Sequence, residues 1–359
     1  MPAHWEDRMG GSQYQARMFV EYLIEAGGYD IYYLARYVNH DFKPEGYKII
    51  QIANPSGIRK YGELFDTFKL LKLLKEISPD VIYQRVGCSY TGVCAYYAKK
   101  FNKKCVWHVA HDREVTPGMG KFSPKRIFRY LDKMMLEYGL RNAGQIVTQT
   151  RHQADLMLKY YNRKADAILP NVHPWPVEKI EKRDPVKVIW VANLKPWKRP
   201  DVFIRLASEL SEMNNVEFIM IGDPRANSEW CMQILEDIGN VSNLHYMGGQ
   251  SQETVNEVLS TGHIFVNTSM QEGFANTFIQ SWLRKVPVLS LSVNPDGVFD
   301  QKEVGICSDT YEELRDNLIK LLRDEELRNT MGDKAQIYAK DEHSFENMGK
   351  LTSLIFEDG

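Results

Sequence analysis

No stretch of this sequence approaches the roughly 20 consecutive apolar residues that a membrane-spanning helix needs, so a helical membrane span is excluded. No basic, apolar and small-residue succession of the secretory kind opens it either. Cysteine is sparse: Cys88, Cys94, Cys105, Cys231 and Cys307 are scattered, odd in number and never spaced C-x-x-C. That speaks against a structural zinc site and fits reduced, mostly buried thiols in a cytosolic protein. Internal repeats and low-complexity tracts are absent, which sets repeat architectures aside. What is there is ordinary for a globular chain, 43% apolar and 26% charged residues. Its 359 residues are long for one domain and comfortable for two.

The net charge of −2 hides an asymmetry. Before residue 178 there are about 26 Lys and Arg against about 17 Asp and Glu, and from there on about 19 against about 30. The change of sign supports two domains. A basic first half suits an anionic partner such as a phospholipid or a pyrophosphate-linked lipid, or it serves solubility alone.

Along the first half, residues 29–34, 48–52, 81–83, 105–109 and 145–148 have the composition of short strands. Between them lie helical patterns. Gly10 and Gly11 form a glycine turn feeding an amphipathic run (Ala16, Phe19, Val20, Leu23, Ile24). Residues 61–77 make one helix with an apolar stripe at Leu64, Phe68, Leu71 and Leu74, stopped by Ser78-Pro79-Asp80, and residues 89–101 make another. Lys121, Lys125, Arg126, Arg129 and Lys133 interleave with Phe122, Ile127, Phe128, Leu131, Met134 and Met135. This basic amphipathic stretch suits either an anionic membrane surface or a solvated helix face. A Pro-rich linker follows at residues 170–176. Residues 186–192 start a second sheet, and residues 216–223 and 243–249 are strands ending in glycine turns at Gly222 and Gly248. The beat of strand and helix implies an α/β protein with parallel, doubly wound sheets, whose ligands sit at the carboxyl ends of strands.

The most informative stretch runs through residues 267–290. Residues 263–267 (HIFVN) read as a buried strand, a polar turn carries Gln271-Glu272-Gly273, a helix pattern begins near Phe274, and residues 287–291 form the next strand. Strand, glycine turn and helix together aim backbone N–H groups at an anion. Gly273 lets a ligand approach the backbone, and Asn276 and Thr277 lie in the first helical turn, at the positive end of the dipole. Glu272 would repel a phosphate. It either accepts hydrogen bonds from hydroxyls, as on a sugar, or is simply an acid favoured at a helix start.

Here the sequence resembles the retaining glycosyltransferases of family 4, which have the GT-B fold of two Rossmann-like domains. Their Glu-x7-Glu pattern, usually opening E-G-F, reads from Glu272-Gly273-Phe274 through Asn276 and Thr277 to Gln280, so the second glutamate is replaced. The resemblance implies that Glu272 contacts the donor sugar and that Gln280 takes the place of the residue holding the ribose. A carboxamide still accepts and donates hydrogen bonds to a diol. The pieces occur in the family's order over nearly the whole chain. The family's Arg-x4-Lys loop, whose cations hold the donor diphosphate, falls on Asn193 and Lys198; Asn193 stands where arginine is expected, with Lys195 and Arg199 as the nearby cations. The bland alternative is a basic turn before a helix started by Pro200. His111-Asp112, at the end of the strand near residue 109, match the family's His-Asp, which gives His111 a role at the donor sugar; the alternative is a histidine capped by its neighbour. Gly222 and Gly248 fall where the family lines its base pocket, and Gly10 and Gly11 where it turns after its first strand. Residues 1–9 hold no run of strand type, so that first strand is expected to be missing here.

The resemblance implies residues 1–176 as an acceptor-side domain, joined by a C-terminal helix at 343–359, and residues 177–342 as the nucleotide-sugar domain, facing each other across a cleft. It implies a UDP-sugar or GDP-sugar donor, a glycan or lipid-linked acceptor, retention at the anomeric carbon, a cytoplasmic protein with peripheral membrane contact through its basic half, and no nucleic acid. No D-x-D motif is present, and neither a metal nor another cofactor is expected. Rival expectations are an epimerase or phosphorylase on the same fold, or a non-catalytic nucleotide-sugar binder.

Overall fold

Short β-branched and aromatic runs separated by amphipathic helices form two α/β units in the computed structural model, which describes residues 1–7, 9–52, 62–118, 127–213, 215–224 and 228–357. Tyr61, Lys121, Phe122, Lys125 and Arg126, used in the sequence reading, lie outside the described residues. One unit comprises Met1–Val172 with Glu346–Gly359, the other His173–Phe345.

In the first unit the order is α1 (Gly11–Ala26), β1 (Tyr32–Ala35), β2 (Lys48–Gln51), α2 (Gly62–Phe65), α3 (Thr67–Ile77), β3 (Val81–Arg85), α4 (Ser89–Phe101), β4 (Lys104–His108), α5 (Ile127–Asn142), β5 (Gln145–Thr148), α6 (Arg151–Tyr161) and β6 (Ala167–Ile168). β1 and β2 pair in parallel, and β3-β4-β5-β6 form a parallel four-stranded sheet in that order. Cys105, Val106 and Trp107 of β4 are almost fully buried, as expected of a parallel strand covered by helices on both faces. Residues 1–4, which carry no run of strand type, nonetheless lie beside residues 34–37. Ala3 and Tyr37 form a parallel bridge, with hydrogen bonds from His4 N to Tyr37 O (2.9 Å) and from Tyr37 N to Pro2 O (3.2 Å). Backbone pairing of this kind needs no particular side chain.

The single helix expected over residues 61–77 is broken at Asp66. This fully buried carboxylate pairs with Arg36 and accepts from the Tyr90 hydroxyl at 2.9 Å. A buried charge must be paired and hydrogen-bonded, and meeting that demand interrupts the helix. The apolar stripe is reset as a result: α3 buries Leu70 and Leu74, and Phe68, expected inside, is 85% exposed. Beyond the break, α4 and α5 pack at backbone distance. A Cβ on Gly92 would stand 2.3 Å from Met135 O, and one on Gly139 2.7 Å from Thr91 C, so glycine is what permits this approach.

The second unit runs β7 (Val186–Val191), α7 (Pro200–Glu209), β8 (Val216–Ile221), α8 (Glu229–Gly239), β9 (Leu244–Tyr246), α9 (Gln252–Thr261), β10 (Ile264–Asn267), α10 (Asn276–Leu283), β11 (Val288–Ser290), α11 (Val298–Lys302), β12 (Gly305–Cys307), α12 (Tyr311–Arg323) and α13 (Glu325–His343). The last helix, α14 (Met348–Phe356), belongs to the first unit. All six strands are parallel, in the order β12-β11-β10-β7-β8-β9. Trp190, Phe203 and Phe218 fill the core on one side of the sheet, and Phe265, Phe278, Trp282 and Phe299 fill it on the other. The chain winds outward from β7 to β9 and then resumes at β10 on β7's other side. β7 and β10 are therefore neighbours whose following loops leave in opposite directions, which opens a crevice at their carboxyl ends.

Candidate active site

Two loops meet at that switch point. The loop after β7 holds a single 3-10 turn, Pro196–Lys198, followed by Arg199 in the left-handed region (φ 50°) and by Pro200 at the first position of α7. The loop after β10 carries residues 268–275. Thr268 ties them together: its hydroxyl donates to Lys198 O at 2.6 Å and accepts from Trp190 Nε1 at 2.9 Å. Met270 N donates to Trp197 O at 2.9 Å. These bonds hold Lys198 and Glu272, 74 residues apart in sequence, in a mostly buried ion pair.

The neighbouring cations are occupied otherwise. Arg199 forks onto the Asp201 carboxylate at 2.8–3.0 Å, and the Lys195 ammonium sits 4.9 Å above the Trp197 ring. Asn193 is half-buried between β7 and the turn. Of the four residues weighed for the diphosphate, Lys198 is the one joined to Glu272.

α10 starts at Asn276, two residues later than the sequence pattern suggested, with Ala275 before it and no capping side chain. Asn276 and Thr277 occupy its first turn, where N–H groups lack intrahelical acceptors. Phe274 precedes the helix. Its ring packs 4.7 Å from His343 and 6.0 Å from Trp282, as part of the core. Gln280 is buried and its amide donates to Gln252 Oε1 at 3.0 Å and Asn256 Oδ1 at 2.8 Å. Both partners belong to α9. Its backbone oxygen accepts from Arg284 at 2.9 Å, and Arg284 is itself paired with Glu178. The position matched to the family's second glutamate is thus built into an amide cluster.

Gly222 and Gly248 shape the opposite rim. Gly222 N donates to Gly248 O at 2.8 Å, and a Cβ on Gly222 would lie 1.9 Å from Ala192 O. Gly222→Ala is expected to destabilise the second unit by about 1–3 kcal/mol or more through overpacking and to displace the start of the loop bearing Lys198. An unchanged denaturation midpoint in urea would contradict this.

In the first unit, His111 follows β4 and caps the 3-10 turn Asp112–Glu114, its Nδ1 accepting from Arg113 N at 3.2 Å. That bond leaves the proton of the neutral ring on Nε2. Gly10 is the residue before α1 and Gly11 its first residue. Glu114, three residues on, belongs to no motif in the sequence. It is buried, and its carboxylate accepts from Ala110 N at 2.9 Å. Burial raises its pKa from 4.5 to about 7, against the opposing pull of the backbone N–H groups of Ala110 and Gly87 and of Arg85. A raised folded-state value favours the protonated fold. The stabilisation is complete below pH 4.5 and is lost as pH rises through about 7. Glu114→Gln, which keeps the acceptor oxygen, is expected to flatten that loss, with melting temperature against pH as the measurement. An unaltered slope would contradict it. Beneath this loop, buried His108 accepts from Tyr83 and Arg85 at 2.9 and 3.0 Å and meets Leu169 O at 3.2 Å. Burial, then Arg85, holds its pKa well below the ordinary value.

Among the described residues no cluster of three or more His, Cys, Asp or Glu is placed to hold a metal ion, and no helix is long and apolar enough to cross a membrane.

Residues 174–337 match the family described as Glycosyl transferases group 1, and residues 9–171 match Glycosyltransferase Family 4. The chain is 22% identical to the uncharacterized glycosyltransferase MJ1069 of Methanocaldococcus jannaschii, over 99% of this chain and 97% of that protein. Among solved structures it resembles WaaG, a glycosyltransferase involved in lipopolysaccharide biosynthesis, with a TM-score of 0.78 and 17% identity over 100% of this chain and 99% of that one. It also resembles Anabaena HepE in complex with UDP and glucose, with a TM-score of 0.74 and 14% identity over 98% and 97% of the two chains. These likenesses show the GT-B fold.

Proposed function

Because the chain belongs to the glycosyltransferases of group 1 and family 4, we propose that it transfers a sugar from a nucleoside diphosphate sugar, with retention, to a glycan or lipid-linked glycan. The observation that carries this reading is the Lys198–Glu272 pair at the switch point of the second sheet. An ammonium and a carboxylate side by side at a helix start suit a ligand that is anionic at one end and hydroxylated at the other. On donor binding, Lys198 turns from Glu272 to the diphosphate, and Glu272 is freed to accept from sugar hydroxyls. The first turn of α10 adds its N–H groups and dipole to the phosphate. Catalysis is then mainly positioning and stabilisation of the leaving group's charge. The leaving phosphate takes the acceptor's proton on the same face, and neither a metal nor another cofactor is required.

HepE's complex with UDP and glucose supports a UDP-sugar, with a GDP-sugar as the alternative. His111 is assigned to the donor sugar. Residues 1–176 are assigned to the acceptor side and residues 177–342 to the donor. We place the protein in the cytoplasm, reaching its acceptor at a membrane surface without spanning it.

A thermal-shift panel of UDP, GDP, ADP and their sugars tests the reading. The cognate donor at about 100 times its Kd should add roughly 2.7 kcal/mol of stability, and transfer should persist in a chelator. An epimer formed from donor alone would instead indicate an epimerase, and tight binding without turnover a binding protein.

A further inference from the structure

The loops after β3 and β4 leave neighbouring strands of the first unit's sheet, in register through Arg85 and His108. The first of them turns sharply. Val86 has φ 71°, a left-handed conformation that a β-branched residue takes up only when its surroundings impose it. The buried Gln84 amide helps to impose it, donating to Val86 O and, at 3.1 Å, to Arg85 O. The Thr91 hydroxyl anchors that amide at 3.0 Å. Gly87 comes next. A Cβ there would stand 2.9 Å from Leu136 Cδ1 and 3.0 Å from Glu114 Cβ, so the backbone of this loop lies directly on the Glu114 side chain.

Glu114 thus stands between the two loops. Its carboxylate accepts from Ala110 N at 2.9 Å on the β4 side and from the backbone of Gly87 on the β3 side, and the backbone of His111 adds to the same bonding. The stretch that carries it is anchored from elsewhere in the unit. Gln153 of α6 donates to Asp112 Oδ1 at 3.0 Å, and Lys133 of α5 to Thr116 O at 2.8 Å. Those bonds fix the turn, and the carboxylate fixes both loops to the turn. The charged and titratable groups about it are Arg85, with His108 bonded to it, then His111, Asp112 and Arg113 in its own stretch, and Lys133 with Asp132 and Glu137. Arg85 is held by His108 at 3.0 Å and by Asn171, and Lys133 by the backbone oxygens of Glu114 and Thr116. Both favour the carboxylate's charge from a distance, while backbone N–H groups bond to it. An ionised carboxylate accepts at both oxygens, whereas the protonated acid turns one of them into a donor. Facing N–H groups, that donor has to give up one loop. Burial brings the exchange between the two forms to about pH 7.

We infer that Glu114 is a positioning residue for sugar transfer: ionised, it holds the loop bearing His111 and the loop at Val86-Gly87 in one arrangement, and protonated, it releases one of them. The inference rests on the assignment of His111 to the donor sugar and of this unit to the acceptor.

Two measurements on the full chain test it. The first is hydrogen exchange at residues 86–88 and 110–111 without any donor, corrected for the intrinsic effect of pH. Protection is expected to rise through about pH 7 in the wild type and to stay low at every pH in Glu114→Gln, whose amide also has one accepting and one donating end. The second is release of nucleoside diphosphate from UDP-glucose or GDP-mannose, whichever stabilises the chain more. The wild-type rate is expected to rise over the same interval. Glu114→Gln is expected to lack that rise and to run about tenfold or more slower at alkaline pH, with nucleoside diphosphate affinity unchanged because that ligand is assigned to the second unit. In a His111→Ala background the same substitution should cost much less, as for residues that act together. Exchange in Glu114→Gln that follows the wild type, a rate profile untouched by the substitution, or full additivity with His111→Ala would overturn the inference. A chain that neither donor stabilises would count against the proposed function instead, and the exchange measurement, made without donor, is read independently of it.

Discussion

Glu272→Ala is expected to abolish sugar transfer while nucleoside diphosphate binding is kept or even tightened. The two effects have opposite signs because Glu272 does two things. In the unliganded protein it neutralises Lys198, and an ammonium already paired is less available to a phosphate. Removing the carboxylate frees that charge. The sugar, however, loses a charged hydrogen-bond acceptor worth roughly 1.5–3 kcal/mol, and positioning of the reacting carbon is lost with it. Turnover should therefore fall about 10²-fold or more, while calorimetric affinity for the nucleoside diphosphate alone stays level or rises. A parallel loss of affinity for the nucleoside diphosphate and its sugar would contradict the assignment.

Lys198→Ala is expected to act in the opposite way on binding. The diphosphate loses its cation and Glu272 is left beside it without a counter-ion, so repulsion adds to the lost attraction. Both nucleoside diphosphate and donor affinity should drop, and turnover should fall by roughly 10² or more, the scale for removing one group that stabilises developing charge. The double variant discriminates further. With the carboxylate gone as well, nucleoside diphosphate affinity should recover in part relative to Lys198→Ala, a non-additivity expected of two residues in contact. Strict additivity, or turnover untouched by Lys198→Ala, would place the diphosphate elsewhere in the loop.

Much of this was legible in the amino-acid order because the parallel strands are short apolar runs and the helices are periodic. α4 spans residues 89–101 as the pattern indicates, and α7 starts at Pro200. What escaped depends on residues far apart. The helix break at Asp66 is set by Arg36, 30 positions earlier, so apolar spacing alone carries the stripe one turn too far and places Phe68 inside. Phe274 and Phe278 have helical spacing, which drew the start of α10 back to Phe274. In the structure Phe274 reaches the core from the loop, against Trp282 and His343. The alternation of strands and helices does not state strand order. Nothing in it says that β10 lies beside β7, and only that adjacency pairs Lys198 with Glu272. Gln280 was assigned by its position in the pattern alone, and the amides of Gln252 and Asn256 that hold it come from the preceding helix, 24–28 residues away. Glu114 drew no attention because its shift arises from burial, which a lone acid beside a histidine does not announce.

The claim on which the rest depends is that the diphosphate lies against the turn holding Lys198 and the start of α10. Hydrogen exchange with and without the cognate nucleoside diphosphate tests it most directly. Added protection is predicted at residues 195–199 and 272–278, where N–H groups gain a ligand and two loops lose mobility. Binding that stabilises the protein yet leaves both segments exchanging at their unliganded rates would contradict it.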